Sequence, residues 1–140
     1  MSHNVKRHTN REVTIEDYIY FQNQFHFGES DVWTISGGEP TLSDNLTQII
    51  NFCHQISSHV IMYSNGRNLK LLPNHTLEKI ERIIVPIYGE ENFHNNYVNS
   101  SVAFKETMES IEKIIESNPS KIDLKLLLQK GDNMESLFVS

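Results

Sequence analysis

A chain of 140 residues is long enough for one domain with a hydrophobic core but not for two. Its formal net charge of −6 at pH 7 argues against a nucleic-acid binder, because no basic stripe is available to displace phosphate counterions. The single cysteine, Cys53, excludes an internal disulfide and a cysteine-rich metal site. Since no apolar run approaches the roughly 20 residues of a membrane helix and no signal peptide opens the chain, we expect a cytoplasmic protein without a membrane partner.

The chain begins with a polar lead-in over residues 1–12, followed by a helix and a strand. Thr14 and Asp17 form a variant capping box, in which an acidic side chain follows a threonine by three residues. Apolar residues at helical spacing then predict a helix over about residues 15–25. The apolar run Val32–Ile35 predicts the first strand.

A second helix and a second strand follow. Asp44 is the predicted N-cap of this helix, and helical spacing places Cys53 in the core rather than in a reactive site. The second strand, Val60–Tyr63, ends at Ser64-Asn65-Gly66, where Asn-Gly is a strong turn signal. The apolar residues of the helix recur at helical intervals: Leu46, Ile49, Ile50, Cys53 and Ile56.

The middle of the chain carries a third strand between less regular segments. A short helix over Leu77–Glu81, capped by Thr76, is predicted before the strand Ile83–Gly89. The segment Glu90–Ser100, rich in asparagine and histidine, is interpreted as a polar loop. His94 with its carboxylate neighbours could belong to a metal site, but a solvated loop is favoured because no second histidine lies at ligand spacing.

The last elements are a long helix and a fourth strand. The helix is predicted to bury one apolar stripe and to stop at Asn118-Pro119. The strand Ile122–Leu128 leads to a turn at Gly131-Asp132-Asn133 and to a truncated-looking tail over residues 134–140. The stripe consists of Phe104, Met108, Ile111 and Ile115.

Strand and helix alternate along the whole chain, and the first three strands carry β-branched or aromatic residues almost without interruption. This pattern favours an α/β fold, a mostly parallel sheet buried by helices, within a single domain over residues 1–140. An eight-unit barrel takes roughly 250 residues, so the chain would supply about four strands of one. The first and last strands, Val32–Ile35 and Ile122–Leu128, should then be sheet edges.

Polar and glycine residues follow each predicted strand, and the carboxyl ends of parallel strands form one face where ligands bind. At the first strand, two adjacent glycines strip the backbone of Cβ atoms, so that peptide groups can approach a ligand closely. Glu39 adds a negative charge, which makes an acceptor-rich niche suited to an ammonium group rather than a phosphate. An ordinary strand-to-helix turn is the alternative. The strand exits are Gly37-Gly38-Glu39-Pro40, Ser64-Asn65, Tyr88-Gly89 and Asn133.

These segments resemble the radical S-adenosylmethionine (radical SAM) enzymes. The run Val32–Leu42 is similar to the family's second strand and its "GGEPTL" exit, and Tyr63–Arg67 is similar to the third-strand "TNG" ending. Ile87-Tyr88-Gly89, with Glu91 and His94 after it, is similar to the "SLYG…EHH" region after strand four. Leu127–Asn133 is similar to the exit of strand five. Four segments in the right order cover about residues 12–135.

The resemblance implies a partial (β/α) barrel, strands 2–5 of the radical SAM core, and a partial S-adenosylmethionine (SAM) site. Gly37, Gly38 and Glu39 of the GGEP segment, which Pro40 completes, would receive the methionine amino group. The other implied contacts are Ser64 and Asn65 with the methionine carboxylate or ribose, and Asn133 near the adenosine. Pro86 stands where the family usually has serine, so the resemblance does not carry a polar contact over to this position.

The resemblance also implies a [4Fe–4S] cluster, but the cysteines that would hold it, spaced C-x3-C-x2-C, are absent. No residue is therefore assigned to catalysis or to a metal, and the chain is expected to be inactive alone. It would be a fragment of a longer enzyme or a degenerate module that binds SAM or another protein. A flavodoxin-like domain without affinity for SAM is a third possibility. The substrate, a small molecule or a peptide, is not identified by these residues.

Overall fold

A computed structural model describes residues 12–127, in which four parallel strands form one sheet. The strands follow one another in the order β1-β2-β3-β4, and each pairs with its sequence neighbour. The predicted α/β class with a mostly parallel sheet is confirmed. Because strand order never reverses across residues 12–127, this part of the chain is not doubly wound, which argues against the flavodoxin-like possibility. The strands are β1 (Trp33–Ile35), β2 (Val60–Tyr63), β3 (Arg82–Ile87) and β4 (Ile122–Leu126).

Helices occupy the connections between strands, and two short 3₁₀ turns lie at Pro40–Leu42 and Leu69–Leu71. No helix within residues 12–127 has the length and apolar character needed to cross a bilayer. The strands β1 and β4 lie at the two edges of the described sheet, as predicted. The helices are α1 (Ile15–Phe25), α2 (Leu46–Ile56), α3 (Asn74–Leu77), α4 (Glu91–Tyr97) and α5 (Ala103–Ser117).

The starts of α1 and α2 follow local hydrogen bonding. The carboxylate of Asp17 accepts a hydrogen bond of 3.0 Å from the Thr14 backbone N–H, which confirms the capping box. The predicted N-cap of α2, Asp44, is wrong by one residue, since Asn45 holds that position. The Ser43 hydroxyl oxygen accepts from the Asn45 N–H over 3.2 Å and so continues the turn for one more residue before the helix begins.

The short third helix was predicted too late in the chain. It spans Asn74–Leu77 instead of residues 77–81, and Thr76 lies buried inside it rather than at its cap. Pro73 is the N-cap residue, with φ −61° and ψ 141°. Since proline fixes φ near this value and lacks an N–H, the helix begins directly after it.

The predicted polar loop over residues 90–100 is also wrong, because Glu91–Tyr97 forms α4. The Asn95 side chain fastens this helix to α5. Its carbonyl oxygen accepts from the Phe104 N–H over 2.9 Å, and its amide nitrogen donates to the Ser101 carbonyl over 3.2 Å. The segment Glu91–Tyr97 has few aliphatic residues, so its composition does not predict a helix. Polar contacts such as those of Asn95 support the helix instead.

The buried face of α5 is rotated from the predicted stripe. Ile111 is buried as expected, but Ile115 is 38% exposed and Ile114 takes its place at 4%. Thr107 and Ser110 also face inward, where their hydroxyls donate to the Asn65 and Arg67 carbonyls over 3.0 and 3.1 Å. These two hydrogen bonds turn the helix toward the loop after β2, away from the phase that its apolar residues alone would give.

One face of the sheet supplies the core. Alternate residues of each of the first three strands are buried with apolar residues of α2 and α5, and Cys53 is fully buried among them as predicted. The residues between them are exposed or half-buried and lie on the opposite face. The strand residues in the core are Ile35, Val60, Met62, Ile83, Val85 and Ile87, and those on the opposite face include Thr34, Ile61, Tyr63, Ile84, Pro86 and Lys125.

Candidate functional site

The carboxyl ends of β1, β2 and β3 lie at one edge of the sheet because the three strands are parallel and in register. Ile35 is level with Met62 in β2, and Tyr63 is level with Ile84 in β3. Adjacent strands are about 4.8 Å apart, so the exits at Ser36-Gly37-Gly38 and Ser64-Asn65 are neighbours. The predicted convergence of these two strand exits is present.

The backbone after β1 forms an open set of acceptors. No residue within 12–127 donates a hydrogen bond to the carbonyl oxygens of Ser36, Gly37 or Gly38. Gly37 has φ +144°, a conformation that other residues rarely adopt. A Cβ atom added at Gly37 or Gly38 would meet nothing within 4 Å, so both glycines border open space. This backbone is able to accept hydrogen bonds from a ligand.

Glu39, which follows the glycines, is engaged by the protein itself. Its Oε1 atom accepts from the Thr41 N–H at 3.1 Å, the Thr41 hydroxyl at 2.6 Å and the Ser64 hydroxyl at 2.8 Å. Its Oε2 atom accepts from the Asn65 N–H at 2.7 Å. Pro40 then begins the 3₁₀ turn, where the Ser43 N–H donates to the Pro40 carbonyl over 3.0 Å. The carboxylate therefore joins the exits of β1 and β2.

A pocket of about 420 Å³ opens beside this segment. Its size lies in the range of roughly 300–1,000 Å³ that small-molecule sites occupy. Tyr18 of α1 also borders the pocket, which the helical spacing of apolar residues in α1 does not indicate. Burial and the nearby Cys53 raise the pKa of its phenol. The lining residues are Glu12, Val13, Tyr18, Ile35, Ser36, Gly37, Gly38, Glu39, Pro40, Leu42, Ser43, Leu46 and Ile49.

Ser64 and Asn65 differ in their access to a ligand. Ser64 is 4% exposed, and its hydroxyl donates to Glu39 while accepting from the Gly66 N–H over 3.0 Å. Asn65 is exposed, and its side-chain oxygen accepts from the Arg67 N–H over 2.9 Å. No described residue accepts from the Asn65 amide nitrogen, which is free to donate to a carboxylate or a hydroxyl.

A second cavity, of about 180 Å³, lies at the end of β3, and Asn65 is among the residues that line it. It is lined by Tyr88, Pro86 and His94 among others, and the Tyr88 ring stacks on Tyr97 with centroids 4.1 Å apart. Asn133, the fourth predicted strand-exit residue, lies outside the described residues, as do the turn and tail after β4. Its place near an adenosine stays a prediction.

His94 is buried in α4 rather than solvated, so the predicted environment is wrong. Its Nδ1 atom accepts from the Tyr88 N–H over 3.4 Å, and the Phe104 ring meets its ring edge-on with centroids 5.7 Å apart. Burial lowers the pKa of the imidazole. Within residues 12–127, no three His, Cys, Asp or Glu side chains are grouped as metal ligands would be. The structure therefore gives His94 a packing role.

This burial predicts a pH dependence of stability. Because the pKa of His94 is lower in the folded protein than in the unfolded chain, the unfolded chain binds more protons once the pH falls below about 6.5. Its contribution to stability is complete above that pH and is lost as the pH falls through the folded pKa. In urea unfolding at about pH 7 and pH 5, the free energy of unfolding should fall more steeply with decreasing pH for the wild type than for His94→Phe. The difference in slope should be at most about 1.4 kcal/mol per pH unit. Equal slopes for the two proteins would contradict the assignment.

One relative is similar over most of the chain. The sporulation killing factor maturation protein SkfB of Bacillus subtilis (strain 168) is 27% identical over 110 residues, which cover 76% of this chain. The chain spans about a quarter of that relative, 27% of its length. No model of a protein family matches the chain.

Proposed function

We propose that this chain forms part of a radical SAM-type core and binds the methionine end of SAM. The observation that carries the proposal is the run of carbonyl oxygens at Ser36, Gly37 and Gly38, which accept no hydrogen bond from residues 12–127, in a segment that lines a pocket of about 420 Å³ at a strand exit. Carbonyl oxygens beside bare glycines accept hydrogen bonds from an ammonium group, and they repel a phosphate. The exposed Asn65 amide supplies a donor for the carboxylate or ribose of the same ligand.

Three further observations support this proposal. The resemblance of the GGEP segment to radical SAM enzymes is accompanied by similar segments at later strand exits. The sequential order of the parallel strands agrees with a partial (β/α) barrel that corresponds to strands 2–5 of such a core. The likeness to SkfB, a distant relative, hints at the same superfamily.

The residues of this chain do not fit the [4Fe–4S] cluster that the resemblance implies. Such a cluster is held by several cysteine thiolates, and Cys53 is the only cysteine of the 140 residues. Cys53 is fully buried, and desolvation raises the pKa of its thiol to about 12. It is therefore a protonated core residue, and no catalytic step is assigned to the chain.

The same observation favours a second candidate function, a degenerate module that binds SAM or another protein without catalysis. The two candidates differ in what accompanies the chain: the fragment needs cluster ligands from additional sequence, whereas the module does not. A C-x3-C-x2-C motif encoded directly upstream of Met1 would favour the fragment. The name of SkfB, a maturation protein, agrees with the proposal that the substrate class is a small molecule or a peptide.

Isothermal titration of the folded chain with SAM should give measurable heat with one binding site. After incubation with iron, sulfide and dithionite, the same chain should release no 5′-deoxyadenosine in chromatography, because it lacks the cluster thiolates. No heat at millimolar SAM would overturn the binding proposal. Release of 5′-deoxyadenosine would show that the chain is catalytic by itself, against both candidates as stated.

A further inference from the structure

The carboxylate of Glu39 is held mainly by the protein itself. It accepts four hydrogen bonds from protein donors, three at Oε1 and one at Oε2, so Oε1 is saturated while Oε2 keeps one acceptor position. Two of these donors are the N–H and hydroxyl of Thr41, which close the turn around Glu39 itself. The other two, from Ser64 and Asn65, belong to the exit of the next strand.

The hydrogen bonds from Ser64 and Asn65 connect Glu39 to residues that are distant from it in sequence. The Ser64 hydroxyl and the Asn65 N–H come from 25 and 26 residues along the chain, and they reach separate oxygens of the carboxylate over 2.8 and 2.7 Å. Ser64 is 4% exposed, so water competes little for its hydrogen bond. Since the Ser64 oxygen in turn accepts from the Gly66 N–H, one chain of hydrogen bonds runs from the β1 exit into the loop after β2.

We propose that Glu39 is a positioning residue that clamps the β1 exit to the β2 exit, while the carbonyl oxygens of Ser36, Gly37 and Gly38 hold the ligand's ammonium group. This inference deepens the proposed function and rests on it for the identity of the ligand. The clamp itself does not depend on that identity, because all four hydrogen bonds form within the ligand-free chain. In this proposal Ser64 acts on the ligand site indirectly, by its hydrogen bond to Glu39. Asn65 has two roles: its backbone N–H donates to Glu39, and its side-chain NH₂ group donates to the ligand.

Glu39→Gln is expected to remove the hydrogen bond between the Asn65 N–H and Oε2 of residue 39. A glutamine has one acceptor and one donor in place of two acceptors, so its NH₂ group would face the Asn65 N–H if its oxygen stayed on Thr41 and Ser64. Ser64→Ala removes one donor and leaves the charge of Glu39 unchanged. The two variants together separate a positioning role from direct contact between Glu39 and the ligand.

The first measurement is SAM affinity by titration calorimetry on the full chain. With a clamp, Glu39→Gln should weaken binding about tenfold, and Ser64→Ala should weaken it about threefold although Ser64 is buried. The double variant should bind SAM only slightly more weakly than Glu39→Gln alone, because both substitutions disrupt the same hydrogen-bonded contact between the two strand exits. An unchanged affinity in Ser64→Ala, or losses that multiply in the double variant, would overturn the clamp in favour of direct contact.

The second measurement needs no ligand and separates this inference from the proposed function. Amide hydrogen exchange of Asn65, followed by NMR, should be faster in Glu39→Gln than in the wild type, because its acceptor is lost. Glu116→Gln and Ser58→Ala, changes at exposed positions, are the matched controls and should leave both affinity and exchange unaltered. If the wild type binds no SAM, the proposed function fails while the exchange result still decides the clamp. Unchanged exchange at Asn65 would overturn it.

Discussion

Gly38→Leu is expected to weaken SAM binding by about tenfold or more, which corresponds to about 1.4 kcal/mol of binding free energy. Gly38 lines the 420 Å³ pocket, and a Cβ atom there would meet nothing within 4 Å. The leucine side chain therefore enters space that the ligand needs, without a clash inside the protein. The free energy of unfolding should change by less than about 0.5 kcal/mol, because Gly38 does not adopt a positive φ.

Gly28→Leu is the matched control for this experiment. Gly28 is likewise exposed, has no positive φ and has open space where a Cβ would stand, but it does not line the pocket. Calorimetry should show wild-type SAM affinity for this variant. Equal affinities of Gly38→Leu and the wild type would mean that SAM does not approach the backbone at Gly38.

Gly66→Ala is expected to destabilise the fold by about 2–4 kcal/mol, from the sum of backbone strain and overpacking. Gly66 has φ +87°, and an added Cβ would lie 2.7 Å from Thr107 Cγ2 and 2.9 Å from Val85 Cγ1. Thr107 is held by its hydrogen bond to Asn65, and Val85 is fully buried in β3. Neither neighbour is a flexible side-chain end that can move aside.

Urea unfolding monitored by circular dichroism measures this loss, with Gly28→Ala as a control that should stay within about 0.5 kcal/mol of the wild type. Thr107→Ser in the Gly66→Ala background removes the methyl group that makes the closer contact, and should recover part of the loss. A stability of Gly66→Ala close to that of the wild type would show that the loop after β2 moves freely relative to α5.

The sequence predicts the strands of this fold well because parallel strands carry uninterrupted apolar residues on both faces. Val60–Tyr63 is an example, since both of its ends agree with the structure. It predicts α4 poorly, because Glu91–Tyr97 owes its helical state to contacts of Asn95 and to the burial of His94. The buried face of α5 is predicted poorly for the same reason. Thr107 and Ser110 donate hydrogen bonds to carbonyl groups of the loop after β2, which lie 42 and 43 residues earlier in the chain.

For the candidate site, local sequence is sufficient for the backbone at Gly37-Gly38, where missing Cβ atoms and a strand exit define the niche. It is insufficient for the hydrogen bonds of Glu39, whose carboxylate accepts from Ser64 and Asn65 at the exit of the next strand. The donors that reach Glu39 are determined by the register of β1 with β2. This register cannot be deduced from the residue spacing within either strand segment.

The burial of Cys53 has a practical consequence for following this protein in solution. Its thiol is fully buried and its pKa is about 12, so thiolate-directed reagents have no reactive target in the folded chain. A cysteine introduced at an exposed position, such as Ser58, would accept a fluorescent or spin label in the native protein without prior removal of Cys53. Reaction of Cys53 itself would then report unfolding, since the thiol becomes accessible only when the core opens.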